Sequence, residues 1–168
     1  PEAVSGQDWY EAETTATVDA VQLVDKVAGE SRYDFRSWTG ATQTGEGNKA
    51  TVLMDGPKTA TANYKLQYKI TFDQTGVGSD FTGTVVIIDT NSYGVSQIPI
   101  STSFWWDDQS THSFEFLSPL SVNAGKRYVW NTTSGLSILQ SDTSLQITQS
   151  GSITGNFKTQ YYLTVKTD

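Results

Sequence analysis

In residues 161–166 apolar and polar side chains alternate. Tyr161, Leu163 and Val165 fall on one face of an extended strand, with Tyr162, Thr164 and Lys166 on the other. Residues 68–73 repeat the pattern, with Tyr68, Ile70 and Phe72 opposite Lys69, Thr71 and Asp73. Each stretch predicts a strand with one face suited to a core. "GTVVIID" (83–89) is a short β-branched run of the same kind. "ATVLM" (50–54) and "TATANYK" (59–65) flank Asp55-Gly56, a pair that readily takes positive φ and so predicts a tight hairpin. "LQITQSGSITGNF" (145–157) contains two runs around a Ser150-Gly151 turn. Helical spacing is best met at 17–29, where Val18, Val21, Val24 and Val27 recur every third residue, but this valine-rich stretch also fits two strands or an irregular crossing. Many short strands with turn signals between them predict an all-β fold of antiparallel sandwiches.

The chain resembles itself. "WYEAETTATV" (9–18) aligns with "WWDDQSTHSF" (105–114), "RYDFRSWTG" (32–40) with "RYVWNTTSG" (127–135), and "TANYKLQYKITF" (61–72) with "TGNFKTQYYLTV" (154–165). The offsets are 96, 95 and 93 positions. Three anchors in the same order at nearly constant spacing predict a tandem duplication. The expected organisation is a first module at 1–65, a second at 66–158 and a terminal strand at 159–168.

Composition narrows the function classes. The 168 residues include 11 Lys and Arg against 18 Asp and Glu, a net charge of −7, which argues against nucleic acid and offers no basic face to anionic lipid. No apolar run is long enough to span a membrane. There is no cysteine, which excludes thiolate metal sites, a thiol nucleophile and disulfides. Abundant Thr, Ser, Gly, Tyr and Trp suit a secreted β-protein, and Asn131-Thr132-Thr133 is a glycosylation sequon marking Asn131. The chain opens on Pro1 without Met, as expected of a mature or excised chain whose targeting segment lies outside it.

Candidate chemistry is sparse. The single histidine, His112, has Asp107, Asp108 and Ser110 nearby, but no Gly-x-Ser-x-Gly is present, and the alignment sets His112 against Ala16 as an ordinary strand residue. Asp107 and Asp108 are adjacent and point to opposite faces of a strand, unlike a glycosidase pair. The chain is therefore expected not to be an enzyme and to need no cofactor. Calcium is the one metal the sequence leaves open, at a module junction, although no Asp-x-Asp-x-Asp-Gly loop is present to supply ligands. Trp9-Tyr10 and Trp105-Trp106 should each set one ring on either side of a strand. Trp9, Trp105 and Trp106 either pack in the core and at a module joint or form an aromatic platform for sugar rings.

Four segments carry a resemblance: "WYEAETTATV", "YDFRSWTG", "TVLMDGPKTATANYK" and "QYYLTV". They resemble the tandem β-repeat modules of prokaryotic, especially archaeal, cell-surface and extracellular proteins. Trp9 and Tyr10 match the first element of that pattern, and Phe35, Trp38 and Gly40 the second. Met54, Asp55, Pro57, Lys58, Ala62, Asn63 and Tyr64 match the third, and Tyr161, Leu163 and Val165 the fourth. The likeness covers 6–73 and 154–168 and is weaker over 74–150, where Thr133-Ser134-Gly135 stands at the Trp-Ser-Gly of the family pattern's second element. It implies two tandem Ig-like antiparallel sandwiches in an extracellular protein at the cell surface.

In the pattern the fourth element opens a module, so the first module is expected to lack its opening strand while a matching strand stands at 159–168. That strand could fold back within its own chain, enter a neighbouring copy by strand addition, or belong to a longer array of which this chain is an excerpt. The expected function is assembly with identical subunits into a surface filament or array, with Tyr161, Leu163 and Val165 as donor residues. The alternative is an adhesin or carbohydrate-binding segment that meets surface glycans.

Overall fold

The computed structural model describes residues 4–43 and 47–167; Pro1 and Asp168, which bound the expected first module and terminal strand, lie outside them. The described chain is all-β apart from one 3₁₀ turn at Val95–Gln97. It forms two compact units, residues 1–67 and 68–168. The expected donor segment groups with the second unit, and the division falls inside a single long strand.

Unit 1 contains β1 (Val4–Ser5), β2 (Thr15–Ala20), β3 (Leu23–Val27), β4 (Ser31–Thr39), β5 (Thr42–Gln43), β6 (Lys49–Leu53) and the first part of β7 (Thr61–Thr75). One sheet runs β1-β2-β6-β5 and the other β3-β4-β7. The valine spacing at 17–29 is thus two strands, β2 and β3. Both valines and threonines there favour extended backbone, and β2 alternates exposed and buried side chains as a half-buried strand must. The core is made of small groups: Ala16, Val18, Ala20, Ala50, Val52 and one large ring, Phe35. Phe35 meets Trp38 and Tyr64 with ring centroids 5.8 and 5.7 Å away.

The hairpin expected at Asp55-Gly56 does not form. Both edges of β6 are taken, by β2 and by β5, so the chain leaving it must cross to the other sheet. Neither Asp55 nor Gly56 takes a positive φ. Lys58 Nζ instead reaches back to Asp55 Oδ1 at 2.5 Å, and Pro57 has no N–H to give a ladder. The Lys58 contact also holds the Asp55 carboxyl below its usual range.

Unit 2 contains the rest of β7 with β8 (Thr84–Ile88), β9 (Asn91–Gly94), β10 (Ile100–Asp107), β11 (Thr111–Phe116), β12 (Leu120–Asn123), β13 (Lys126–Gly135), β14 (Ser141–Gln146) and β15 (Gly151–Tyr161). One sheet runs β14-β11-β8-β9 and the other β12-β13-β15-β7, with β10 also on β7. Ser150-Gly151 likewise marks a crossing between sheets rather than a hairpin. The β15–β7 pair is parallel, a departure from the expected all-antiparallel sandwich. Parallel neighbours need a long connection, and here the connection is all the intervening strands of the unit. The core is aromatic: Phe72 packs edge-on or tilted against Phe104, Trp106 and Phe114, and Ile70, Phe116, Ile147 and Ile153 are sealed around it.

Candidate interaction site

The two units share local geometry at matched positions. In unit 1, Glu13 takes φ 63°; its N–H donates to Met54 O (2.9 Å), and Met54 N–H donates to Thr14 O (2.9 Å). In unit 2, Gln109 takes φ 64°; its N–H donates to Ile147 O (2.8 Å), and Ile147 N–H donates to Ser110 O (3.0 Å). The Thr14 hydroxyl caps Glu11 O at 2.7 Å, and the Ser110 hydroxyl caps Asp107 O at 2.6 Å. Asn63 donates to the hydroxyls of Ser37 and Thr39, as Asn156 does to those of Thr132 and Ser134. Gly40 and Gly135 both take positive φ, and a Cβ on either would run into a carbonyl oxygen, of Thr59 and of Ser152 respectively. These pairs lie 93 to 96 positions apart, as the sequence anchors do.

Against that common frame one element differs. In unit 2, the second half of β7 lies beside β15 with Ile70 opposite Gly151, Thr71 opposite Ser152 and Phe72 opposite Ile153. Ile70 and Phe72 are fully buried. The matching position in unit 1 is the edge along residues 58–60, which belong to no strand, and within unit 1 β7 closes its sheet. Residues 7–11, the counterparts of 103–107 of β10, are in no strand either. Trp9 and Tyr10 therefore do not straddle a strand as expected: Trp9 is 98% exposed, and Tyr10 donates its hydroxyl to Gly6 O. Their counterparts pack. Trp106 is buried against Phe72 and Phe104, and Trp105 beside it is half-buried.

The second copy of the β7 phrase lies past β15. Tyr161 ends that strand opposite Lys126, and Tyr162 N–H donates to Gly125 O. Residues 162–167 belong to no strand and are exposed, with Leu163 at 80% and Val165 at 82%. Exposed apolar side chains on a segment of alternating polarity are costly to leave in water. Of the three expected donor residues, Leu163 and Val165 stand on this exposed segment, while Tyr161, itself exposed, is the last residue of β15.

The remaining candidates are placed as follows. Asn131 is exposed at a bulge in β13, and Thr133 of its sequon is buried with its hydroxyl accepting from Trp130 Nε1. His112 pairs with Leu145 as Ala16 pairs with Val52, and its ring stacks on Trp106 with centroids 3.7 Å apart. Its Nε2 lies 3.0 Å from Ser110 Oγ and its Nδ1 3.0 Å from Asp89 Oδ2. The acid beside His112 is Asp89, from the β8–β9 turn, rather than Asp107 or Asp108; nothing in the local sequence marks it. Ser110 spends its proton on the Asp107 carbonyl, the same cap Thr14 makes in unit 1 where no histidine follows, so the hydroxyl is a turn device. Among the described residues no cluster of three or more His, Asp or Glu side chains could hold a metal ion. Comparisons with protein-family models, curated proteins and solved structures found no match.

Proposed function

We propose that this chain is a non-enzymatic, extracellular structural protein whose two units are tandem Ig-like modules, and that it assembles head-to-tail with identical copies by strand donation. One contrast carries the reading: Ile70 and Phe72 are fully buried, while their counterparts Leu163 and Val165 are about four-fifths exposed. A segment that forms a core strand in one setting is available to form one in another. Burying Leu163 and Val165 would contribute roughly 3–6 kcal/mol, at about 1.5–3 for each side chain. The contact joins two different patches and so is heterologous; unless it closes into a ring, it extends into a filament. It would also cover an open sheet edge in the acceptor. The acidic net charge keeps dispersed copies soluble until that contact forms. The likeness to archaeal surface repeats fits the same setting.

Electron microscopy of the unaltered chain at high concentration tests this. Filaments are expected, and removal of residues 162–168 should abolish them while unit 2 keeps its fold. A monodisperse monomer at every concentration would falsify assembly.

A second reading rests on Trp9 alone. Its ring is almost wholly in solvent, as in an adhesin or carbohydrate-binding segment that stacks on surface glycans. Glycan binding by chains that do not assemble would favour it.

A further inference from the structure

Resting on the assembly reading, we infer that residues 162–166 of a second copy seat in parallel along residues 57–61 of unit 1, with Leu163 opposite Lys58, Thr164 opposite Thr59 and Val165 opposite Ala60. The register comes from within the chain. In unit 2 the parallel partners are Ile70 with Gly151, Thr71 with Ser152 and Phe72 with Ile153. Leu163, Thr164 and Val165 stand 93 positions after Ile70, Thr71 and Phe72, and Gly151, Ser152 and Ile153 stand 93 positions after Lys58, Thr59 and Ala60. The same frame holds at both ends of this edge of unit 1, at the Gly40–Thr59 approach and at the Asn63 amide.

Space and neighbours agree with this seat. Beside Lys58 unit 1 has an open depression of about 350 Å³, lined among others by Gly40, Ala41, Val52 and Leu53. Unit 2 has Leu136 where unit 1 has Ala41, and that leucine packs directly on Gly151. The smaller side chain leaves room next to the place the register gives Leu163. On the other flank, β10 pairs with β7, and its Trp106 meets Phe72 edge-on with centroids 6.0 Å apart. Tyr10 is the counterpart of Trp106 and Val165 that of Phe72. Residues 7–11 therefore pair along the incoming strand as β10 pairs with β7, and Trp9 leaves solvent when they do.

A one-residue slip would turn Leu163 and Val165 outward, so the competing registers are slips by two. The chain lacks cysteine, so paired cysteines report the register directly. Position 59 with 164 is the probe of choice, because the matching Ser152 is exposed and Thr71 only half-buried, leaving the apolar face intact. In register the two Cα atoms stand about 4.8 Å apart, inside disulfide reach. A slip by two residues separates them by about 8 Å, beyond it.

Chains carrying Thr59→Cys with Thr164→Cys, Thr59→Cys with Tyr162→Cys, or Thr59→Cys with Lys166→Cys are assembled under reducing conditions, imaged, then oxidised and run without reductant. The first pair is expected to give a ladder of covalent oligomers, and the other two little. A ladder from either slipped pair, with filaments present, overturns the register and leaves assembly standing. A crosslinked monomer from the first pair overturns the second copy as occupant. Absence of filaments from all three variants and from the unaltered chain overturns the assembly reading itself. Should only the variants fail to assemble, the aligned pair is moved to Lys58→Cys with Leu163→Cys, read in the same way. Trp9 emission should shift to shorter wavelength on assembly, in a form whose other four tryptophans are replaced by phenylalanine.

Discussion

Tyr68, Ile70 and Phe72 differ little in chemistry from Tyr161, Leu163 and Val165, and both sets alternate with polar residues. Ile70 and Phe72 are nonetheless sealed in an aromatic core, while Leu163 and Val165 stand in solvent. The difference lies in what each segment finds next to it. Residues 70–75 have β15 along one edge, and β10 also pairs with β7. Residues 162–167 run past the end of β15, where Tyr162 N–H donates to Gly125 O and no strand ladder forms among the described residues. A strand's alternation says that it can be buried; only a partner edge decides that it is.

The sharpest way to break this comparison is to truncate the same position in both copies. Ile70→Ala should cost unit 2 about 2–5 kcal/mol, the usual range for emptying a sealed aliphatic site. Leu163→Ala should change thermal unfolding of the dispersed chain by no more than about 0.5 kcal/mol. It should instead weaken filament formation by about tenfold or more, since each 1.4 kcal/mol of lost burial is a factor of ten in affinity. Calorimetry on dispersed protein and the critical concentration for assembly read the two effects separately. Equal destabilisation by both substitutions would mean that Leu163 is already packed within its own chain.

Much of the frame was legible because it is written twice. The anchors at 9–18, 32–40 and 61–72 recur with the turn at Glu13 and Gln109, the Asn63 and Asn156 amides, and the Gly40 and Gly135 approaches. Repetition fixed the alignment where no single motif could. Other features needed the third dimension. Asp55-Gly56 marks a change of direction, but a turn pair does not say which sheet the chain enters next. Trp9-Tyr10 reads as a strand because its counterpart in β10 is one; the counterpart is held by β7, and unit 1 has nothing equivalent among its described residues. Asp89 meets His112 across the β8–β11 pairing, a contact set by register between strands 23 positions apart. The thin core of unit 1 was visible in retrospect: Ala16, Val18 and Ala20 stand where unit 2 has His112, Phe114 and Phe116.

A second pair of matched positions sharpens the comparison at lower cost. Gly40 and Gly135 take φ of 77° and 102°, and a methyl group on either meets a backbone oxygen. Each Gly→Ala change should lower the stability of its own unit by at least about 1–2 kcal/mol, the penalty of an L-residue in left-handed backbone. Beyond that shared effect they should diverge. Gly40→Ala pushes on Thr59, in the edge that takes the strand, and should also raise the critical concentration for assembly. Gly135→Ala pushes on Ser152, whose neighbour β7 is already in place, and should leave assembly by the folded fraction unchanged. Equal effects on assembly would remove residues 58–60 as the acceptor.

The smallest expected difference is in acid. Asp55 in unit 1 is held below its usual range by Lys58; Asp80 in unit 2 is held there first by Lys126 at 2.7 Å and then by the Tyr128 hydroxyl. A carboxyl depressed on folding contributes stability at pH above its unfolded value, and that contribution is lost as the pH falls through the folded value. Both pairs should therefore stabilise their units at neutral pH and cease to do so in acid, below the ordinary carboxylate range near 4. The partners' burial separates them. Tyr128 is a core residue whose hydroxyl donates to Asp80, and Lys126 also lies over its ring. Protonating Asp80 weakens a contact that anchors β13 to the loop after β7, whereas protonating Asp55 frees an exposed lysine. Melting of unit 2 should accordingly show the larger acid dependence, and Asp80→Asn should flatten it while Asp55→Asn leaves it unchanged. If Asp80→Asn left the acid slope of unit 2 as it was, the carboxylates responsible would have to be sought elsewhere in that unit.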